Sequence, residues 1–391
     1  MEPKKQLPAL TGIRFIAIFH IFLHHLWALH TYVRDTKPGT EGLLKDMADL
    51  PDSLMLFFAN GWVSTSLFFM LSGFMLGHLY WQRDGSFLGT PQRFLILRFS
   101  RLYPAHLVVL SLLIVNAFNV HIEDGFSIEF IVASAIGTAL LVQAWFSSWV
   151  PMWNWPAWTI SVLVFLYLVM PILAKWLGRL SSSHQKFLLL TLPLISLLPT
   201  AVYAWLLWRG MPWNMNTEIF FNNFPLFWLP YFVAGMLLTR LINSEEPEKT
   251  YNVYSVSIGD LAFVAALSFT FIPDLLQPLT SVIRFGVLMP LYMLFIIDLA
   301  KGKGIIARLI SGRVLNYLGE ISFSIFIWQA AVIAALVNSV SVYPAIVDYH
   351  LPVAIISILL VSIASFHWLE RPIYNYVKRK LNRNLPLNNS A

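Results

Sequence analysis

The sequence predicts an all-α fold, a polytopic bundle of membrane helices, and three observations carry that expectation. Only 12% of the 391 residues are charged while 58% are hydrophobic, whereas soluble proteins carry about 25% charged residues. Mean hydropathy is +0.67. The charges that exist fall between long apolar blocks, the pattern of repeated membrane crossings. Cysteine is absent, so neither a disulfide framework nor thiolate chemistry is available. The formal net charge of +6 is read as topological, and no nucleic-acid partner is expected.

Apolar stretches at 9–32, 57–82, 102–120, 157–177, 187–208, 223–241, 252–273, 280–299, 316–338 and 352–373 predict ten spans, each near the ~20 residues a bilayer needs. The opening "MEPKKQLPAL" has no signal-peptide cleavage site, so the first span is expected to be retained. An eleventh apolar block, "EFIVASAIGTALLVQAW" (129–145), is decided by charge. If it does not cross, one side collects Lys4, Lys5, Arg83, Arg93, Arg98, Arg101, Lys175, Arg179, Lys186, Arg240, Lys249, Lys301, Lys303, Arg308, Arg313 and the basic C-terminal run from Arg371 to Arg383. The other side keeps only Arg34, Lys37, Lys45 and Arg209, among several carboxylates. Letting the block cross would reverse every later basic loop, against the positive-inside rule. It is therefore expected to be re-entrant or packed at the outer surface, with both termini cytoplasmic. The polar stretch "NSEEPEKTYN" (243–252) reads as a solvated loop. No internal repeat or low-complexity tract is evident, so residues 1–391 are expected to form a single membrane domain.

The first span is unusual. Its segment "RFIAIFHIFLHH" (14–25) places Arg14, His20, His24 and His25 where ionisable side chains are costly. An arginine there costs ~2.5–3.5 kcal/mol on insertion scales, and such residues point by default to function. Arg14 and His25 are eleven residues apart, so they share a helix face with an offset of ~16 Å along the axis. Singly, Arg14 is explained by snorkelling and a histidine by interhelical hydrogen bonding. Together on one face they favour a polar channel through the bundle.

Later segments add to this. "FFMLSGFMLG" (68–77) sets Ser72 and Gly73 in an aromatic helix, where small residues permit close helix approach. "RFLILRFSRLYP" (93–104) carries Arg98 and Arg101 three residues apart. That spacing lets both guanidinium groups face one way. Positive-inside flanking explains them, and so does recognition of a phosphate-bearing ligand by bidentate, charge-assisted bonds. "WFSSWVPMWNWPAW" holds Trp145, Trp149, Trp153, Trp155 and Trp158. An interfacial aromatic belt accounts for part of that density, and a stacking surface for sugar rings or another flat ligand accounts for the rest. Arg284 is read as either a contact to an acidic or carbonyl-rich acceptor or a paired residue. Asp260, placed within a span, and His78, His106 and Glu320 are read as paired or solvated structural groups.

In this order the pieces resemble the acyltransferase 3 family, membrane proteins that acylate hydroxyls of cell-surface carbohydrates and some secondary metabolites. The resemblance rests on Arg14-(ten residues)-His25, "FFMLSGF", "RFSRLYP", "NWPAWTISVLVFLYLVMP", "LNYLGEISFSIFIWQ" (315–329) and "LERP" (369–372), and it covers essentially the whole chain. It implies the stand-alone form without an esterase-like domain, in a bacterial inner membrane. It implies His25 as the catalytic histidine, Arg14 as its partner along the donor channel, and Arg98 and Arg101, with Ser72 and Tyr103, at the donor site. The donor would be acyl-CoA, most simply acetyl-CoA, with no metal. The acceptor would be a hydroxyl of a surface glycan such as O-antigen or exopolysaccharide, in contact with Trp153, Trp155, Trp158 and Arg284. An imidazole is the general base suited to neutral pH, and an acyl-histidine is a second route. Four positions depart from the family pattern: Leu163 replaces a glutamate, Trp228 and Tyr231 replace an arginine and a glutamate, and Gln329 replaces a histidine. The rival reading is a transporter or flippase for a lipid-linked or acyl substrate, since histidines and an arginine also line proton-coupled carriers. A third, an assembly protein without catalysis, rests only on the four departures.

Overall fold

The computed structural model describes residues 7–33, 40–82, 84–244, 255–272 and 277–383. Lys4, Lys5, Arg34, Lys37, Arg83, Lys249 and most of the loop at 243–252 lie outside that set. The chain runs through helices α1 (Pro8–Tyr32), α2 (Asp52–Ala59), α3 (Val63–Tyr80), α4 (Pro91–Glu123), α5 (Ile128–Ala139), α6 (Trp158–Gly178), α7 (Ser182–Ser196), α8 (Leu198–Trp208) and α9 (Met215–Asn223). It continues through α10 (Leu229–Ser244), α11 (Ile258–Ser268), α12 (Gln277–Val282), α13 (Leu288–Lys301), α14 (Gly304–Ile310), α15 (Arg313–Val342), α16 (His350–Ser365) and α17 (Arg371–Arg383). The fold is an all-α membrane bundle. No strand occurs among the described residues, which hold only an isolated bridge between Trp81 and Phe87.

Nine helices among the described residues are long and apolar enough to cross a membrane, and they coincide with nine of the ten expected spans. The tenth, 252–273, is shorter than expected. Its described helix begins at Ile258 because Ser257 and Asp260 form a capping box there, the reciprocal arrangement that starts a helix. Asp260 is therefore a helix-start residue rather than a mid-span carboxylate. Its oxygens also accept from the Ile305 and Ile306 amides at 2.9 and 3.1 Å, which ties α11 to α14. The block at 129–145 becomes α5, twelve residues long. At ~1.5 Å per residue it is far too short for a ~30 Å core, in keeping with the non-crossing expectation.

The basic stretch at 93–104 and the span after it form one helix. α4 runs 33 residues, started by Thr90, whose side chain accepts from the Arg93 amide, and by Pro91 in its first turn. Arg98 and Arg101 thus ride on the same rigid rod that enters the bundle.

Close backbone contact holds the centre. Gly73 on α3 faces the Phe232 carbonyl of α10, and Gly235 on α10 faces the Met70 carbonyl of α3. Neither position has room for a Cβ. Likewise Gly319 on α15 abuts the Thr11 carbonyl of α1. Without a hydrophobic force between helices in lipid, such small-residue contact drives association. The chain direction follows from paired contacts: Ser64 meets His20 while Ser72 shares a cavity with Arg14, so α3 runs antiparallel to α1. α15 runs parallel to α1, with Gly319 beside Thr11 and Gln329 beside His25.

Candidate active site

α1 carries three histidines in two turns, and the structure gives each a different task. The His20 ring stacks on Phe57 with centroids 4.0 Å apart. Its Nε2 lies 2.7 Å from the Phe57 carbonyl and its Nδ1 2.9 Å from Ser64 Oγ. A carbonyl only accepts, so Nε2 is the protonated nitrogen and Nδ1 accepts from the hydroxyl. Both nitrogens are consumed in fixing α1 to α2 and α3.

His25 is buried, 7% exposed. Its Nδ1 lies 2.5 Å from Gln329 Oε1, and the Gln329 amide nitrogen donates to the Phe326 carbonyl at 3.0 Å. That second bond sets which end of the amide faces the ring: the oxygen. Nδ1 must then carry the proton, which leaves Nε2 as the nitrogen with a free lone pair. The edge of Trp155 meets the ring at a centroid distance of 4.1 Å. His24, one residue earlier, donates from Nδ1 to the Phe58 carbonyl at 3.2 Å and stacks on Trp27 at 5.7 Å.

At the other end of α1, Arg14, Ser72, Arg98 and Arg101 line one cavity of about 80 Å³ together with Tyr167 and Leu163. No carboxylate is among the residues lining it. Leu163 occupies the place where the resemblance expects a glutamate, so three guanidinium groups face this space, while the acidic Glu320 and Glu370 line adjoining cavities that Arg101 shares. Arg98 donates to Tyr80 Oη at 3.0 Å and sits over the Tyr80 and Phe94 rings. Arg101 donates to the Glu320 carbonyl at 3.0 Å. A larger cavity of about 460 Å³ opens from Arg14 and Arg101 past Thr11, His78, Arg313 and Asn316. The result is a basic, polar mouth leading inward to a tight arginine-lined neck, a geometry suited to phosphates outside and a slender apolar arm within.

The expected open channel from Arg14 to His25 is interrupted. Along α15, Phe323 lines the arginine cavity, Phe326 stacks on Phe68 with ring planes 7° apart and centroids at 6.2 Å, and Gln329 holds His25. The Phe68–Phe326 pair therefore occupies the level between the arginine-lined neck and the imidazole. His25 lines none of the cavities described here.

Other predicted residues fall elsewhere. Tyr103 reaches the Leu140 carbonyl at 3.4 Å and does not line the arginine cavity. It is two residues past Arg101, ~200° round the helix, so it turns away. Trp153 donates to Ser134 Oγ at 3.0 Å and packs with Leu110, Ile131 and Met152, anchoring α5. Trp158 sits in an aromatic cluster with Phe69 and Trp228. Of the three tryptophans expected at the acceptor, Trp155 alone meets His25. Arg284 donates to Asn222 Oδ1 at 3.0 Å, lies over the Trp62 ring, and shares a cavity with His24. It sits in a π-helical turn, Ile283–Val287, whose displaced carbonyls find side-chain donors: Ser66 and Tyr231 donate to the Arg284 carbonyl and Ser196 to that of Phe285. Tyr231 and Trp228, at family positions for charged residues, are fully buried core. The residues that sequence reasoning passed over are Tyr167 and Arg313 on the donor side, and Asn60, Trp62, Glu218 and Asn222 beside His24. Tyr167 lies within the block at 154–171 and Arg313 in a basic loop, but neither spacing singles it out; the rest belong to no motif, and only the fold gathers them.

Comparison with known proteins agrees with the arrangement. A family model described as an acyltransferase domain matches residues 7–369. The acyltransferase MdmB of Streptomyces mycarofaciens is 29% identical over 170 residues, which cover 43% of this chain and 39% of that protein. The match thus spans well under half of the relative's length. No solved structure matches. With a family match over nearly its whole length, the chain belongs to the acyltransferase 3 family.

Proposed function

We propose that this protein is a membrane O-acyltransferase. It takes an acyl group, most simply acetyl, from cytosolic acyl-CoA and places it on a hydroxyl of an extracytoplasmic acceptor, a cell-surface glycan. The observation that carries the reading is His25: its Nδ1 proton is held by Gln329, its Nε2 is free to act as a base, and it stands along α1 from a cavity lined by Arg14, Arg98 and Arg101.

In this reading the phosphates of the donor rest in the basic mouth, and its pantetheine arm enters the arginine neck. The Phe68–Phe326 pair parts to admit the thioester. His25 Nε2 takes the proton of the acceptor hydroxyl while that oxygen attacks the thioester carbonyl carbon. The C–S bond then breaks, the ester remains on the acceptor, and the imidazolium returns its proton to the departing thiolate. Gln329 holds the ring in the tautomer this requires. The basic mouth faces the cytosol by the positive-inside rule, with both termini on that side of a bacterial cytoplasmic membrane. Many carriers are built from inverted repeats, and no internal repeat is evident in this sequence, which weighs mildly against that alternative.

Replacing His25 with Ala tests the assignment. Coenzyme A release followed by a thiol reagent is clean here, because the protein itself has no cysteine. The expected outcome is loss of acyl transfer by about 10²–10⁴-fold, the usual scale for a general base, with folding and membrane insertion intact. Wild-type turnover in a properly folded variant would end the proposal.

A further inference from the structure

A separate chamber of about 270 Å³ lies beside α1 at the histidine end, lined by His24, Trp27, Trp62, Glu218, Asn222 and Arg284 among others. Several of its groups are already engaged as scaffold. Asn60 donates to the carbonyls of Leu56, Thr270 and Ile272 and accepts from Trp62 Nε1 at 3.0 Å, so it braces the wall. Arg284 gives one nitrogen to Asn222, while its buried Nε has no partner among the described residues. Glu218 accepts from Trp213 through one oxygen at 2.9 Å. His24 donates through Nδ1, which leaves Nε2 as an acceptor. What remains is one guanidinium offering donors, a carboxylate oxygen and an imidazole nitrogen offering acceptors, and the Trp27 ring as a stacking face.

We infer that this chamber, rather than the tryptophan-rich loop before α6, seats the acceptor, and that it selects an uncharged polyhydroxylated ring. The inference rests on the acyl-transfer reading and deepens it. A hydroxyl both donates and accepts, so a ring bearing several matches a site with free groups of both kinds. Arg284 and Glu218 balance each other, so the chamber carries no net charge to compensate an ionised ligand. A carboxylate or phosphate on the ring adds a second negative charge to a chamber that Glu218 already lines and whose Arg284 is already balanced, and like charges brought together select against the wrong partner. The volume is at the small end for ligand pockets, enough for one ring and too little for an extended oligosaccharide. His24 lines the chamber and its ring centroid is 5.8 Å from that of His25, so the chamber adjoins the proposed catalytic imidazole with one side chain, His24, at their border.

Calorimetric titration of the full-length protein in nanodiscs tests this. The probes are methyl glycosides of a neutral hexose, a 6-deoxyhexose, an N-acetylhexosamine, a hexuronic acid and a hexose 6-phosphate. Acetyl-CoA is titrated in parallel. At least one neutral glycoside is expected to saturate, with the uronic acid and phosphate at least tenfold weaker. Trp27→Leu weakens the neutral ligand tenfold or more. Glu218→Gln, which keeps an oxygen for Trp213, weakens the neutral ligand and strengthens the uronic acid at least tenfold, a gain that misfolding cannot produce. Failure of every neutral glycoside to bind overturns the inference, as does acidic binding equal to neutral binding, or a Glu218→Gln profile like that of the wild type. Absence of acetyl-CoA binding alone strikes the donor reading and leaves the chamber result standing.

Discussion

At the scale of single residues, the amide of Gln329 holds the Nδ1 proton of His25 and leaves Nε2 as the basic nitrogen, the arrangement that the proposed general base requires. Leucine has nearly the same shape and no acceptor. Gln329→Leu is expected to lower kcat by about 10–10²-fold, part of the range a general base supplies, while KM for donor and acceptor stays within about twofold. Gln329→Glu keeps an oxygen at the same reach and is expected to retain most of the rate. Equal losses in both variants would reduce Gln329 to a packing role. Leu163 makes a second case. Replacing it with Glu puts a carboxylate among Arg14, Arg98 and Arg101, where it competes with donor phosphate. KM for acyl-CoA is expected to rise about tenfold, a change of ~1.4 kcal/mol, with kcat little altered. That Arg14 and the histidines sit inside the first helix was legible because ionisable groups there are costly. The three-residue spacing of Arg98 and Arg101 told that both turn the same way, as they do toward one cavity. Tyr103 turns away because two residues past Arg101 is ~200° round the helix, and Trp153, in the loop before α6, is drawn to α5 by its bond to Ser134. The His25–Gln329 bond joins residues 304 apart, a pairing that no local pattern contains.

Elements were read well where composition alone decides, and less well where backbone detail does. Long apolar runs announced nine helices directly. The start of α11 was also written in the sequence, as Ser257-x-x-Asp260 ahead of an apolar run, but hydropathy outweighed the cap signal. The π-helical turns at Ile283–Val287 and Phe366–Glu370 were not legible from local pattern, and the first is completed by donors from α3, α7 and α10. Each carries a charged residue into the bundle. Arg284 thereby reaches the His24 chamber, and Glu370 accepts from Ser324 and Ser365 at 2.7 Å, on the helix that also presents Gln329 and on α16. The α3–α10 contact sets the position of both Ser72 and Phe68. Because the Gly235 Cβ site faces the Met70 carbonyl directly, Gly235→Ala is expected to force these helices apart at a cost of about 1–3 kcal/mol, the usual range for overpacking. A lowered Tm in detergent, with weaker donor binding as the neck widens, checks this. An unchanged Tm would mean that the helices yield more freely than their backbone contact implies.

For the whole molecule, the governing feature is that its two ends differ in chemistry. One end gathers Arg14, Arg98, Arg101 and Arg313 around a polar mouth; the other gathers tryptophans, a balanced Arg284 and Glu218, and two imidazoles. Transfer across the bundle requires these ends to face different compartments, whichever way the chain is inserted. The sequence argues for the orientation through its basic loops, and the absence of native cysteine makes it directly measurable. Ser311 lines the donor mouth and is exposed, and Asn216 is exposed on α9 near Glu218. A single cysteine at Asn216 is expected to react with an impermeant maleimide in intact spheroplasts. One at Ser311 is expected to react only after permeabilisation, and acyl-CoA is expected to protect it. Labelling of both from the same side would break the division between donor and acceptor compartments on which transmembrane transfer depends. Reversed labelling would keep that division but put the basic mouth outside, where cytosolic acyl-CoA does not reach it.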